Sequence, residues 1–482
     1  MIPMSPRQQD NPELVVIGGG VGGLVTASVA GQLGVRTTLI ERGPKLGGDC
    51  LHTGCVPSKT LIHSARVASL MRRAGEFGLP AADPRVDLGA VMDRVRSVID
   101  SIQVHDDPER FRGYGVEVIF GQARFTAPRE LMVEDRRITG RRFVIATGSR
   151  PAIPAIPGLD EAGYLTSDSL WTQRSLPRRL AVLGGGPIGL ELGQALARLG
   201  SQVTILEAAA RLLPGEDPDT GEALKAILDR EGLEIRLGAQ VTGVSGQGAV
   251  KRLDYVQDAC SRTLEVDAIL VATGRRPNVE DLGLEAAGVD FGARGIRVDR
   301  RLRSSAKHIY ACGDCCDTPY PFTHAAEYEA GIVITNAVFR LPRKADYRVL
   351  PRVIYCDPEL ARVGLNEREA REQGLEVEVL RFPFSQVDRA LAEGETAGEA
   401  KLLVRKGRLV GAALLGPRAG ELIHELALAM QAKIPVSRIA ATIHAYPTLA
   451  QIHRRAVNTA YSPRLFGPAT RRLVRWIQRL IP

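Results

Sequence analysis

One stretch of this chain is written twice. Leu-Val-Val-Ile-Gly-Gly-Gly-Val-Gly-Gly begins at Leu14, and a near copy, Leu-Ala-Val-Leu-Gly-Gly-Gly-Pro-Ile-Gly, begins at Leu180. The same offset holds downstream, pairing Gly34 with Gly200, Thr38 with Thr204 and Glu41 with Glu207. Each copy reads as an apolar run of strand length, a glycine turn, a helix of small residues and a second apolar run ending in Glu, which is a βαβ unit. Gly18 and Gly20, like Gly184 and Gly186, permit a tight turn and close approach of backbone N–H groups to a pyrophosphate. Gly23 and Gly189 let helix and strand pack closely, and Glu41 and Glu207 stand where ribose hydroxyls would donate. Two such units imply two dinucleotides, and a tightly held flavin beside an exchangeable nicotinamide makes a redox relay.

With 482 residues, 44% of them hydrophobic, the chain has room for about three domains with real cores. Its net charge of +8 is modest, and no dense Lys/Arg block interleaved with aromatics points to nucleic acid. Seven unevenly spaced cysteines are too few for a secreted disulfide scaffold, so a reducing, cytoplasmic setting is expected. Residues 15–35 carry no charge and have the length of a membrane span, but seven of them are Gly. The preceding Arg7, Asp10 and Glu13 and the missing cleavage site do not fit a signal peptide.

Gly-Gly-Asp-Cys-Leu-His-Thr-Gly-Cys-Val-Pro-Ser-Lys runs from Gly47 to Lys59. Cys50 and Cys55, with Gly54 between them, can close a small loop at a helix start, where the helix dipole favours a thiolate. Zinc is a rival reading of such a pair, but no second Cys/His pair sits at matching spacing, and no metal is expected. Inert buried cysteines are the other alternative.

With that segment come Ala-Thr-Gly at 146–148, GGGPIGLELG from Gly184, ATGRRPN from Ala272, Ala-Cys-Gly-Asp at 311–314 and Tyr-Pro-Thr at 446–448. In this order the motifs resemble those of the pyridine nucleotide-disulfide oxidoreductases, the family of dihydrolipoamide dehydrogenase, glutathione reductase and mercuric reductase, over about residues 12–460. The resemblance implies an α/β fold with two Rossmann-like dinucleotide-binding domains and an α+β C-terminal dimerisation domain. Residues 1–150 and 276–345 would bind FAD, 151–275 would bind NAD(P), and 346–460 would pair two copies into a homodimer. Cys55 would be the thiol nearer the flavin and Cys50 the one that meets a disulfide or other electron acceptor, small molecule or protein. Lys59 would stand beside the flavin with Glu191 as its partner. Gly48, Thr147, Gly148 and Asp314 would complete the FAD site begun by Gly18, Gly20, Gly23 and Glu41. Gly184, Gly186, Gly189, Glu207 and Gly274 would hold the nicotinamide nucleotide. Glu207 suits the free 2′-hydroxyl of NADH, while Arg211 four residues on leaves NADPH open.

The chain departs from its relatives at one place. Where they usually read His-Pro-Thr followed by Glu, this chain has Tyr446 and Gln451. Imidazole titrates at about 6.5 and phenol at about 10, so Tyr446 is a poor base at neutral pH although it can donate a hydrogen bond. His444 and His453 flank the position and are candidates to compensate. A tyrosine near this place is also a mercuric reductase feature, but no cysteine follows Cys356 to pass a metal ion inward. Cys312, Cys315 and Cys316 crowd around Asp314 and are expected to pack as core residues. The function expected is transfer of a hydride from the nicotinamide through FAD to the cysteine pair and on to an acceptor. A flavin NAD(P)H oxidase or quinone reductase with non-essential cysteines is the alternative, and a non-catalytic flavoprotein is a further one.

Beyond the last family motif lies a basic tail, residues 461–482. At helical spacing Leu473, Trp476, Ile477, Leu480 and Ile481 gather on one face while Arg472, Arg475 and Arg479 line another. Such a tail is expected to make weak, salt-sensitive contact with a membrane surface or a partner, so that the protein would be cytoplasmic or peripheral.

Overall fold

The computed structural model describes residues 12–480 apart from 247 and 249, so that Arg7, Asp10 and Ile481 lie outside the described residues. Three five-stranded sheets organise the chain. In the first, Leu14–Ile17 lies at the centre, flanked by Thr37–Glu41 and then Val116–Phe120 on one side, and by Arg142–Ile145 and then Ile309–Ala311 on the other. All these pairings are parallel, and the central strand Leu14–Ile17 is an uninterrupted apolar run because both its faces are covered, whereas the edge strand Val116–Phe120 alternates buried and exposed residues. Chain order reverses beside Leu14–Ile17, and the glycine turn leaves its carboxyl end at that switch point, the usual place for a ligand in a doubly wound sheet.

The second sheet repeats the plan. Arg179–Leu183 lies between Gln202–Glu207 and Ala268–Val271, with Glu234–Leu237 and Leu165–Thr166 at the edges. Leu14 pairs with Thr37 and Leu180 with Val203, so the offset between the two copies survives in the strand register. The helices that follow the two turns, Val21–Gln32 and Pro187–Leu199, lean on their strands through glycine. A Cβ on Gly23 would fall 1.8 Å from the Gly18 carbonyl oxygen, and one on Gly189 would fall 2.0 Å from that of Gly184. The Val21–Gln32 helix also packs against the Thr323–Ala337 helix, which returns the chain to the first unit.

The third sheet is antiparallel, in the order Arg352–Ile354, Glu359–Gly364, Arg408–Gly416, Glu399–Arg405, Glu378–Pro383. The helices Ala419–Gln431 and Gln451–Leu465 share one core with it through Ile423, Leu426, Ile452, Ala456 and Val457. Buried charge fastens this unit to the second sheet's unit. Lys401, 2% exposed, holds Asp217 at 3.1 Å, Asp219 at 2.7 Å and Glu367 at 2.9 Å, while Arg362 holds Glu216 at 3.0 Å. A lysine in mid-strand reads as solvent-facing in sequence, and only the fold reveals what it pairs with. Among the described residues no helix is long and apolar enough to cross a membrane.

Candidate active site

A cavity of about 450 Å³ runs along the first glycine turn. Gly18, Gly20, Glu41, Gly48, Thr147 and Gly148 line it, so six of the residues expected around the flavin share one wall. The cradle is built without side chains: a Cβ on Gly48 would come within 2.6 Å of the Gly20 Cα, and one on Gly18 within 2.3 Å of the Ala146 carbonyl oxygen. Gly23 packs behind the turn. Asp314 is not among the lining residues; it is mostly buried and accepts a 2.7 Å hydrogen bond from Ser149, which does line the cavity. Burial pushes the Asp314 carboxyl up, against the opposing pull of Ser149 and Arg275.

Both terminal acids are fixed by backbone. Glu41 accepts from the N–H groups of Gly19 and Gly43, each at 2.6 Å. Glu207 accepts from those of Gly185 at 2.6 Å and Ala209 at 2.7 Å, the same contacts repeated in the second copy. A carboxylate has about four lone-pair sites, so each keeps acceptors for hydroxyl donors. Gly274, with φ +129°, lies just past the Ala268–Val271 strand, and its carbonyl accepts from the Ala152 N–H at 2.9 Å. Arg211 donates to the Pro214 carbonyl at 3.1 Å.

Cys50 lies in the short Gly48–His52 helix, and Cys55 is the first residue of the Cys55–Arg72 helix. The loop between them is tight: the Gly54 N–H reaches the Asp49 carbonyl at 2.6 Å, and a Cβ on Gly54 would press to 3.1 Å from that same oxygen. The two thiols differ in kind. A hydrogen bond from Cys50, with help from Thr323 and Lys59, outweighs burial and lowers Cys55 to about 6. That same bond, together with burial, pushes the Cys50 thiol far up. The helix N-terminus acts in the same sense on Cys55.

One turn along the same helix, Lys59 Nζ donates to Glu191 Oε2 at 2.8 Å and lies 4.3 Å from the Tyr355 ring centroid. The other oxygen of Glu191 accepts from the Tyr355 N–H at 2.9 Å. The expected Lys59–Glu191 pairing is therefore present, and it spans the two repeats. Sequence reasoning missed the residues that brace the pair: Thr323, 3.3 Å from Cys55 Sγ; Trp171, whose indole N–H donates to Thr53 and Ser167 carbonyls; and Arg275, which bridges Asp49 and Ser149. Thr323 and Trp171 come from distant segments and carry no motif; Arg275 lies in the ATGRRPN motif, whose sequence does not reveal these partners.

Tyr446 and Gln451 stand apart from this centre within one chain. Tyr446 is 71% exposed and its neighbour Ile443 is 94% exposed. The two histidines that could have compensated for the missing imidazole turn inward instead. His444 Nδ1 donates to the Thr442 carbonyl, and its Nε2 meets Glu425 at 3.1 Å; His453, fully buried, meets the same carboxylate through Nδ1 at 2.8 Å. Burial opposes ionisation of Glu425, but these imidazole contacts prevail and hold its carboxyl below the usual range. Both rings are committed to a structural contact, and neither occupies the outward position of Tyr446. Cys312, Cys315 and Cys316 are buried core residues, Cys315 donating to the Ile145 and Cys312 carbonyls.

Comparison with known proteins agrees with this geometry. Residues 12–330 match the family described as pyridine nucleotide-disulphide oxidoreductase, and residues 350–457 match that family's dimerisation domain. Mercuric reductase of Bacillus cereus is 36% identical over 451 residues, covering 93% of this chain and 71% of that one. Dihydrolipoyl dehydrogenase of Geobacillus stearothermophilus is 37% identical over 461 residues, covering 93% of this chain and 96% of its own. Among solved structures, the HOCl-induced flavoprotein disulfide reductase RclA from Escherichia coli superposes with a TM-score of 0.82 at 30% identity, covering 92% of this chain and 99% of that one. RclA has also been solved as a Cu(II) complex.

Proposed function

The chain belongs to the pyridine nucleotide-disulphide oxidoreductases, FAD-dependent enzymes that use NAD(P)H, and from that membership we propose that it carries electrons from NADH to a thiophilic acceptor met at Cys50. The observation that carries the reading is the asymmetric cysteine pair, one thiol held toward thiolate and the other held protonated. Residues 1–150 with 276–345 serve as the FAD unit, 151–275 as the nucleotide unit, and 346–460 as the dimerisation unit of a homodimer. FAD fits the cavity because that wall is glycine where a cofactor must lie close to backbone. Gly18, Gly20, Glu41, Gly48, Thr147, Gly148 and, through Ser149, Asp314 would hold it, while Gly184, Gly186, Glu207 and Gly274 would hold the nicotinamide nucleotide. Bound there, FAD would supply the hydride-accepting and electron-pair-donating chemistry between the nicotinamide and the cysteine pair.

The chain's own residues do the rest. NADH and the Cys50–Cys55 disulfide become NAD⁺, the Cys50 thiol and the Cys55 thiolate; the pair then gives two electrons to the acceptor, releases the Cys50 proton and closes again as the disulfide. Lys59, steadied by Glu191, supplies the positive charge beside Cys55 as it gains its electrons. Glu207 favours NADH because its carboxylate repels a 2′-phosphate, and Arg211 is engaged elsewhere. Tyr446 would face the partner subunit's cysteine pair as a hydrogen-bond donor. Dithiol–disulfide exchange needs an acid–base that a phenol does not provide, whereas a soft metal ion bound by thiolates can be reduced without one. The enzyme is assigned to the cytoplasm.

One assay tests all of this: NADH and NADPH as donors against lipoamide, glutathione disulfide, quinones, Hg²⁺ and Cu²⁺. NADH with a metal ion should be fastest. Tyr446→His with Gln451→Glu should raise lipoamide turnover by ~100-fold, the usual contribution of a matched acid–base. Wild-type lipoamide turnover as fast as that of a dedicated dehydrogenase, or equal kcat/KM with NADPH, would contradict the reading. Undiminished turnover with quinone after Cys50→Ser would instead favour the quinone reductase.

A further inference from the structure

The positive charge of this protein is not spread along it. Residues 426–482 contain nine Lys and Arg and no Asp or Glu, and the chain before them nearly balances, so the whole excess of +8 belongs to the C-terminal end. That end finishes in the Pro468–Leu480 helix, which lies beyond the matched dimerisation domain. Leu473, Trp476, Ile477 and Leu480 project along one side of it, with Val474 at the edge, and all five are exposed, Trp476 at 61%. Arg471, Arg472, Arg475 and Arg479 occupy the other side, all exposed, and the helix has no carboxylate of its own to pair with them. Phe466 and Leu465, also exposed, continue the apolar side back toward the body.

We propose that this helix docks the enzyme on an anionic phospholipid bilayer, lying in the plane of the interface. Its 13 residues span about 20 Å, and a crossing helix needs about 20 apolar residues, so insertion across the bilayer is excluded by length and charge. An apolar side with a tryptophan, backed by arginines, is what an interfacial helix presents. The charge selects the occupant. A second copy packed helix against helix would bring the same carboxylate-free segment up against it, whereas anionic headgroups neutralise four arginines at once.

The test uses the FAD-loaded full chain and a chain ending at Gly467, which leaves the Gln451–Leu465 helix whole. The full chain should float with vesicles of phosphatidylcholine containing phosphatidylglycerol, remain behind with phosphatidylcholine alone, and be released by high salt. The shortened chain should stay dimeric, be reduced by NADH normally and fail to float. Arg475→Gln with Arg479→Gln in the full chain should lower partitioning about thirtyfold, roughly fivefold for each charge. Trp476 emission should shift to the blue on adding the anionic vesicles. Equal partitioning of the two chains, equal binding to neutral and anionic vesicles, or loss of the dimer on shortening would overturn the proposal. Should the shortened chain not fold, Leu473→Ser with Ile477→Ser in the full chain decides, since unchanged flotation would also overturn it.

Discussion

At the scale of single residues, the chemistry rests on two sulfurs of one tight loop that behave oppositely. With Cys55 lowered to about 6, the reduced enzyme carries its thiolate at neutral pH. The long-wavelength absorbance of a thiolate beside the flavin should therefore be present above that value and disappear as pH falls through about 6. Cys50→Ser should keep this absorbance and Cys55→Ser should abolish it, with flavin reduction by NADH retained in both; the reverse pattern in a spectral titration would exchange the two roles. The cysteines and Lys59 were legible because they sit in one contiguous segment whose spacing is set by a loop and one helical turn. Thr323 and Trp171 were not, since each touches that segment from a distant part of the chain and neither type announces a role. His444 and His453 were ambiguous for a physical reason: only the position of Glu425 decides that both rings face inward.

At the scale of elements, the two βαβ units answer the same substitution differently because they hold different ligands. Gly23→Ala would place a Cβ 1.8 Å from the Gly18 carbonyl oxygen, and Gly189→Ala one at 2.0 Å from that of Gly184. Each forces helix away from strand at a cost of about 1–3 kcal/mol. Gly23→Ala should be purified depleted of FAD; Gly189→Ala should keep FAD but lose most of its reduction by NADH, as stopped-flow absorbance would record. Flavin loss from both would mean that the second unit is needed for the first to fold. The units were readable in sequence down to their acids because strand, turn, helix and the acid that bonds back to the turn follow one another in a single continuous segment. The order of the first sheet was less so, because its edge strand Ile309–Ala311 returns from far along the chain.

At the scale of the whole molecule, the joints combine one shared apolar cluster, with Leu61, Leu196 and Leu360 among its members, and buried charge. Lys401→Met removes the cation from among Asp217, Asp219 and Glu367, leaving the buried Asp217 carboxylate without its cation, and should lower stability by about 3–5 kcal/mol in denaturant titration. The sign with pH follows from the shifts. Asp219 is lowered to about 2 because Lys401 and Arg381 outweigh its burial, so its contribution is present above the ordinary carboxylate value and lost as pH falls through about 2. Lys401 is raised, its carboxylates outweighing burial, so its contribution is complete below the ordinary lysine value and lost only in strong alkali. The wild type should lose stability in acid more steeply than Lys401→Met, and identical acid profiles would remove the cluster from the account.

The same joints bear on how turnover is paced. Lys59 with Glu191 and Trp171 with Thr53 tie the first unit to the second, and Arg198 with Asp357 and Lys401 with Asp217 tie the second to the third, so neither outer unit can swing from the middle one without breaking two bonds that are at least part-buried. A frame pinned twice at each of two seams resists hinging. On the proposed function, electrons would then cross from donor to acceptor without any unit being carried. Turnover at saturating substrate should be indifferent to added sucrose or glycerol, where an enzyme that ferries its thiols on a swinging domain slows in proportion to viscosity.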